Sequence, residues 1–154
     1  MTTKSIVCGV DETQHARFAL LTAERLARKL GVRLVVVHVA EHVIQPSAFM
    51  NSNTVRLATQ DHRETLAGLD LVERVIRDEG VSNAEAKALH GDPAECLADV
   101  ADEERAEMIV VGSRGLGAFK AVFLGSVSNA LIGVARCPVL VVPPGATADD
   151  VPSV

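Results

Sequence analysis

The sequence predicts an α/β fold, in which a five-stranded parallel sheet forms a doubly wound α/β sandwich with helices on both faces. Short apolar runs alternate along the chain with stretches whose apolar residues repeat at helical spacing. Several of these runs are apolar on both faces, as strands inside a covered parallel sheet are. The chain has 154 residues, which is enough for one domain with its own core. Right-handed crossovers then favour the flavodoxin-like strand order 3-2-1-4-5.

The first strand, the first helix and the second strand follow in close succession. Residues 5–10 form an apolar run of strand length. Apolar residues then repeat at helical spacing over 16–30, and Gly31 supplies a C-terminal stop. Residues 34–39 are rich in β-branched side chains and are apolar on both faces except at His38, which predicts a buried strand.

The second helical pattern runs over 66–76 and ends at Gly80. The segment before it, residues 41–58, has no charged side chain between His42 and Arg56. We expect a long loop there, which is a lid, a binding loop or a disordered segment.

The second half of the chain completes the alternation. Residues 84–89 alternate between polar and apolar side chains, which predicts a strand with one solvated face. Asp92 is followed by Pro93 and, at capping-box spacing, by Glu95, so a helix is expected to begin here and to run to about residue 105. The remaining signals predict a strand, a helix and a last strand over 108–111, 127–134 and 139–142.

The composition excludes several classes of protein. There are 15 Lys and Arg against 20 Asp and Glu, and the aromatic content of 3% is all Phe, so a nucleic-acid binder is not expected. No apolar run approaches the ~20 residues of a membrane span, and no secretory signal is visible. The three cysteines have no metal-ligand spacing, which is typical of reduced thiols in a cytoplasmic protein. We expect a single domain over 1–143 and a loose tail over 144–154.

The expected strand order places a ligand site between the first and fourth strands. In open α/β sheets, ligands bind beyond the carboxyl ends of the strands, where neighbouring strands wind in opposite directions. Asp11 directly follows the first strand, and the glycine-rich segment 112–117 directly follows the fourth. Asp11 alternatively caps the first helix through the N–H groups of Thr13 or Gln14, and the glycine segment by itself is alternatively a flexible turn.

The glycine-rich segment and the helix after it favour a polyphosphate ligand. Glycines at 112, 115 and 125 let a ligand approach the backbone. Ser126 is the expected N-cap of the last helix, whose free N–H groups form an anion site. Arg114 and Lys120 add mobile positive charge to the segment.

Two better-known phosphate motifs are absent. A P-loop needs Lys and Ser/Thr where Ala118 and Phe119 follow Gly117. The dinucleotide fingerprint needs a third glycine where Lys120 stands, and the turn after the first strand contains no glycine.

The spacing of Gly112, Gly115 and the pair Gly125-Ser126 resembles that of the nucleotide-binding members of the universal stress protein family. The resemblance covers nearly the whole chain. It includes the strands that end at Asp11 and at Val39 and the segments 91–93, 110–115, 124–128 and 137–143.

The resemblance implies that the chain binds ATP, with or without a divalent cation such as Mg²⁺ or Mn²⁺, and cAMP is the alternative ligand. From the residues themselves we expect no catalytic residue and no protein metal site, because the chain has no His–Ser or His–Cys pair at suggestive spacing and its histidines at 42, 62 and 90 are scattered. In the implied site, Asp11 contacts the nucleoside and the main chain at Val39 meets the adenine. Main chain at Gly112 and Gly115 and the Arg114 side chain border the ribose and phosphates, and Gly125, Ser126 and Val127 hold the outer phosphates. Gly9 and Val10 are also expected among the cofactor-binding residues.

One departure from the family pattern lies next to Asp11. Many relatives continue with Gly-Ser, whereas this chain continues with Glu12 and Thr13. Glu12 repels phosphates, helps to hold a divalent cation, or is an exposed residue in the first turn of the helix.

The resemblance implies a nucleotide-dependent regulatory module with an unidentified protein partner, rather than an enzyme. The alternative is a slow ATPase or phosphotransferase, in which Asp11 or Glu12 holds a metal ion and Ser126 or Ser128 accepts phosphate. A third alternative, an interaction protein with an empty pocket, disagrees with the intact glycine motif.

The last strand predicts a homodimer. Strands three and five are the edges of the expected sheet, and strand three carries Glu85 and Lys87, which discourage pairing. The strand Val139–Val142 carries no charge, so we expect it to pair antiparallel with its copy across a two-fold axis. The alternative is that the tail after Pro143 covers this edge. Dimers through this strand are also known in the family that the chain resembles.

Overall fold

The computed structural model describes residues 4–41, 53–113 and 124–146, with the side chains of 53–61 left out. Strands and helices alternate throughout. The elements are β1 (Ser5–Gly9), α1 (Gln14–Leu30), β2 (Arg33–Ala40), α2 (Asn53–Asp78), β3 (Ala84–His90), α3 (Pro93–Glu103), β4 (Ala106–Gly112), α4 (Ser126–Val134) and β5 (Val139–Val142).

The five strands form one sheet in the order β3-β2-β1-β4-β5, and every pair is parallel, which confirms the predicted topology. Val7 in the central strand aligns with Val35 on one side and Ile109 on the other. All three side chains are fully buried. A strand buried on both faces needs a continuous apolar run, and that run is what made the strands recognisable in the sequence.

Two apolar layers lie on opposite faces of the sheet because successive side chains in a strand point to opposite sides. Ile6 and Cys8 pack with α1 and α2 on one face. Val7 packs with α3 and α4 on the other face. The carboxyl ends of β1 and β4 therefore emerge between helices of different layers.

Two glycine stops were predicted correctly. Gly31 and Gly80 both have φ of 66°, the left-handed conformation that favours glycine. The N–H of Val32 donates to the carbonyl of Ala27 at 3.0 Å, and the N–H of Val81 donates to that of Ile76 at 3.0 Å. These bonds close α1 and α2 in the manner of a Schellman motif.

The predicted loop over 41–58 is wrong from residue 53 onward, because α2 begins at Asn53. Helical spacing in the sequence reveals only the part of a helix that packs on the sheet. Leu66 is half exposed, whereas Leu71 and Val72 are buried, so the apolar stripe starts well inside the helix. Residues 42–52 of the predicted loop lie outside the described residues.

A cluster of ion pairs ties β2, β3 and the end of α3 together at the amino edge of the sheet. Glu104 Oε2 accepts from Arg33 Nη2 at 2.6 Å, and Glu104 Oε1 accepts from Lys87 Nζ. Glu85 pairs with the same two cations. Hydrogen bonds from Lys87 and Arg33 lower the pKa of Glu104, and the bond to Glu104 raises the pKa of Lys87.

In the ranges that the structure describes, every helix is too short or too polar to cross a membrane.

Candidate functional site

A cleft opens at the carboxyl ends of β1 and β4, where the strand order predicts a ligand site. Its walls come from the ends of β1, β2 and β4, the start of α1 and the N-termini of α3 and α4. Eight of the ten predicted site residues line this cleft: Gly9, Val10, Asp11, Val39, Gly112, Gly125, Ser126 and Val127. The other two, Arg114 and Gly115, lie outside the described residues. The fold thus brings the eight together, and their contact with a nucleotide remains a prediction.

Asp11 makes the turn that starts α1 and still presents a carboxylate oxygen to the cleft. Its Oδ1 accepts from the N–H of Thr13 at 2.8 Å and from the Thr13 hydroxyl at 2.5 Å. Within the described residues, Oδ2 has no hydrogen-bond partner. The two interpretations of Asp11, turn former and ligand contact, are therefore compatible because each uses a different oxygen.

Of Glu12 and Thr13, the two residues that depart from the family pattern, Thr13 is the one that contacts Asp11. Thr13 is the N-cap of α1, with φ of −83° and ψ of 155°, and its hydroxyl holds Asp11. Glu12 is exposed and is not part of the cleft wall. The expectation that Glu12 lies in the first turn is wrong, because it precedes the N-cap and the first turn contains no acidic residue.

Gly9 and Gly112 make room for protein atoms. A Cβ on Gly9 would lie 2.9 Å from Leu97 Cδ1, and one on Gly112 would lie 2.9 Å from the carbonyl oxygen of His15. Both distances are too short for a real contact, so these glycines let α3 and α1 pack against the sheet. Gly112 was expected to give a ligand access to the backbone, and this packing role has no signal in the sequence.

The N-terminus of α3 is capped as predicted. The carboxylate Oδ1 of Asp92 accepts from the N–H of Glu95 at 2.9 Å, and Pro93 occupies the first turn. Glu95 also places an acidic side chain in that turn, where it complements the positive end of the helix. The chain's own side chains therefore satisfy this helix end.

The N-terminus of α4 has no such cap. The N-cap is Gly125, with φ of −64° and ψ of 165°, and the first turn contains no acidic residue. The prediction that Ser126 is the N-cap is wrong by one residue, because the Gly125 carbonyl already accepts from the N–H of Asn129 at 2.9 Å and draws Ser126 into the helix. The N–H groups of Ser126 and Val127 have no acceptor within their own helix. They lie at the cleft.

His38 fixes the backbone beside Asp11. Its Nδ1–H donates to the Val10 carbonyl at 3.0 Å, which bridges the ends of β2 and β1. The ring packs against Gly68 of α2, where a Cβ would lie 3.0 Å from His38 Cδ2. His38 is therefore both packed against α2 and part of the cleft wall.

Two buried polar atoms at the cleft lack partners among the described residues: His15 Nδ1 and Ser113 Oγ. Neither residue was among the predicted site residues. A signal for Ser113 was present, because it continues the alternation of Ile109 and Val111, whose side chains pack beneath α3 and α4.

The described residues contain no group of three or more His, Cys, Asp or Glu that could hold a metal ion. All three cysteines are free. Burial raises the pKa of Cys8 to about 12, and burial is also the main cause that raises the pKa of Cys96 and Cys137. Thiols of this kind are poor nucleophiles, because the thiolate is the reactive form.

Comparison with known proteins gives one consistent family. Residues 2–143 match the model of the universal stress protein family. A universal stress protein from Thermus aquaticus is 35% identical over 141 residues, which cover 90% of this chain and 98% of the relative.

Two solved structures share the fold and contain an adenine nucleotide. The universal stress protein of Archaeoglobus fulgidus in complex with dAMP is 27% identical, with a TM-score of 0.57 and coverage of 92% of this chain and 98% of that one. A universal stress protein in complex with cAMP is 22% identical, with a TM-score of 0.62 and coverage of 92% and 98%. At 22% identity, the second likeness supports the fold alone.

Proposed function

The chain belongs to the universal stress protein family, and we propose that it is a regulatory module that binds ATP in the cleft between β1 and β4. One observation carries the proposal: the N-terminus of α4 lies at the cleft without a side-chain cap and without an acidic residue in its first turn. Such a helix end attracts an anion, because its free N–H groups and the helix dipole both favour negative charge.

The cleft residues fit an adenine nucleotide. Main chain at Val39 would meet the adenine, and Asp11 Oδ2, which has no protein partner among the described residues, would accept from the nucleoside. The backbone of Gly125, Ser126 and Val127 would hold the outer phosphates. Arg114 and Gly115 are assigned by the family resemblance alone.

The complex of the Archaeoglobus fulgidus relative with dAMP supports a ligand made of an adenine and at least one phosphate. ATP is proposed over cAMP because the glycine spacing resembles that of the ATP-binding branch of the family. cAMP is the second candidate, since it supplies the same base with a single phosphate.

We also propose that the protein is a cytoplasmic homodimer joined through β5 and that nucleotide binding alters its contact with a protein partner. β5 is an edge strand, and Leu140 on it is 37% exposed. On α4, the helix before it, Ile132 and Val134 are 61% and 43% exposed. An apolar edge of this kind favours pairing with a second copy. Free thiols are typical of a reducing compartment.

The test of the nucleotide proposal begins with the purified protein. After denaturation, any released small molecule is identified by mass spectrometry, and the refolded or nucleotide-free protein is titrated with ATP and cAMP by calorimetry. We expect ATP to bind more tightly than cAMP. Binding of neither compound, and no nucleotide released, would contradict the proposal.

The same protein tests the enzymatic alternative. Incubation with ATP and Mg²⁺ or Mn²⁺ is followed by assays for released phosphate and for phosphoprotein. A regulatory module gives tight binding without turnover, whereas steady phosphate release would favour the slow ATPase.

A further inference from the structure

The hydroxyl of Ser113 is buried at the cleft and has no partner in the described part of the chain. Ser113 is 1% exposed. Its N–H donates to the Val142 carbonyl at 2.9 Å, so the ladder between β4 and β5 fixes its backbone. The residue is therefore held in place while its side-chain oxygen is left without a hydrogen bond.

Another buried hydroxyl in this protein does have a hydrogen-bond partner. Ser128 is also 1% exposed, and its hydroxyl donates to the Gly125 carbonyl at 3.0 Å. Burying a hydroxyl without a partner disfavours folding, and most buried side-chain polar atoms in native structures are paired. Among the described residues, the Ser113 hydroxyl therefore lacks the partner that the Ser128 hydroxyl has, and a ligand in the cleft would supply one.

The position of Ser113 indicates what that partner is. Ser113 continues the alternation of Ile109 and Val111, so it lies on the face of the sheet that α3 and α4 cover. It lines the same cleft as Gly125 and Ser126. The hydroxyl can rotate to donate, and the N–H groups at the start of α4 are also donors. Donors from two elements, the end of β4 and the start of α4, therefore line one cleft.

We propose that the Ser113 hydroxyl donates a hydrogen bond to a phosphate oxygen of the bound nucleotide, making Ser113 a specificity residue for phosphorylated ligands. This inference rests on the proposed function and deepens it. An anionic oxygen satisfies the hydroxyl and the helix amides together and gains from the field of α4. A ribose hydroxyl gains nothing from that field, so the phosphate is the better acceptor.

The test compares the wild-type protein with Ser113→Ala and with Ser128→Ala, which removes an equally buried but paired hydroxyl. Thermal unfolding without ligand comes first. We expect Ser113→Ala to have an unchanged or raised midpoint, because the lost hydroxyl had no partner, and Ser128→Ala to have a lowered one. A Ser113→Ala midpoint lowered as much as that of Ser128→Ala would overturn the proposal, since the hydroxyl would then be paired inside the protein.

Calorimetric titration with ATP, AMP and adenosine completes the test. We expect Ser113→Ala to lower the affinity for ATP and AMP by about 10- to 100-fold, as for a lost hydrogen bond to a charged group. The affinity for adenosine should be unchanged. Equal ATP affinity in the variant and the wild type would overturn the role of Ser113 and leave the nucleotide proposal standing. An equal loss for adenosine would overturn the phosphate contact. A wild-type protein that binds none of the three would overturn both proposals.

Discussion

The N-termini of α3 and α4 border one cleft, but only that of α3 is capped by a side chain. At α3, the Asp92 side chain accepts from the first turn and Glu95 adds negative charge. At α4, Gly125 offers no side chain, and the first turn contains no acid. A helix end that is capped by the protein's own side chains stabilises the fold, whereas an end left open at a cleft is available to an anionic ligand.

Giving α4 the cap of α3 has the largest expected effect. Gly125 is extended, with φ of −64° and ψ of 165°, so other residues fit its backbone conformation. Gly125→Asp should cap α4 and lower ATP affinity by at least about 100-fold, because like charges ~4 Å apart repel by roughly 4 kcal/mol at an effective dielectric of ~20. Calorimetry measures the loss.

Gly125→Asn is the matched control, because it caps the helix without a charge. Gly125→Asn should lower the affinity for ATP less than Gly125→Asp does. Wild-type ATP affinity in the Gly125→Asp protein would show that phosphates do not bind at this helix end.

Replacing Gly112 tests whether the glycines at the ends of β1 and β4 are needed for the helices to pack against the sheet. Gly112→Ala places a Cβ 2.9 Å from the His15 carbonyl, a backbone atom that cannot easily move. We expect the free energy of unfolding to fall by about 1–3 kcal/mol, as for overpacked cores. Gly9→Ala meets the tip of the flexible Leu97 side chain instead and should lower it less. Urea unfolding that ranks the two variants in the opposite order would contradict the packing role.

Removing the cap of α3 should affect stability alone. Asp92→Ala loses the bond from the Glu95 N–H and should lower the free energy of unfolding by about 1 kcal/mol. Ser126→Ala should leave it nearly unchanged, because α4 has no side-chain cap bond to lose. Chemical denaturation measures the free energy of unfolding of both variants. A larger decrease for Ser126→Ala than for Asp92→Ala would contradict the difference between the two helix ends.

The ion pairs at the amino edge of the sheet give the smallest effect and leave the cleft untouched. The pKa of Glu104 is lowered in the folded protein, so its contribution to stability is present above the ordinary value of 4.5 and is lost as the pH falls through the folded value. As the pH falls below the folded pKa of Glu104, the free energy of unfolding of the wild-type protein should decrease by up to about 1 kcal/mol more than that of Glu104→Gln. Urea unfolding at several pH values measures the difference, and parallel pH profiles would contradict it.

The sequence predicted most of the fold because buried parallel strands need continuous apolar runs. The stops at Gly31 and Gly80 and the Asp92 cap follow from local patterns, and the strand order follows from the right-handed crossover rule; the structure confirms all of them. The start of α2 was missed because its first turns lack the apolar stripe that marks a packed helix.

The site was predicted less completely, since contacts between distant residues have no local signature. The closeness of Gly112 to the His15 carbonyl depends on how α1 crosses β4. The pairing state of the Ser113 hydroxyl depends on what surrounds it in three dimensions. The identification of Ser126 as the cap failed by one residue, because Gly125 is equally able to hold the extended conformation that a cap requires.

Amide chemical shifts measured during an ATP titration show whether the N-terminus of α4 binds the phosphates. If α4 holds the phosphates, the resonances of Ser126 and Val127 shift strongly and saturate with ATP, whereas that of Glu95, whose N–H already donates to Asp92, moves little. ATP binding that leaves Ser126 and Val127 unmoved, or that shifts Glu95 in their place, would contradict the claim that the open end of α4 is the phosphate site.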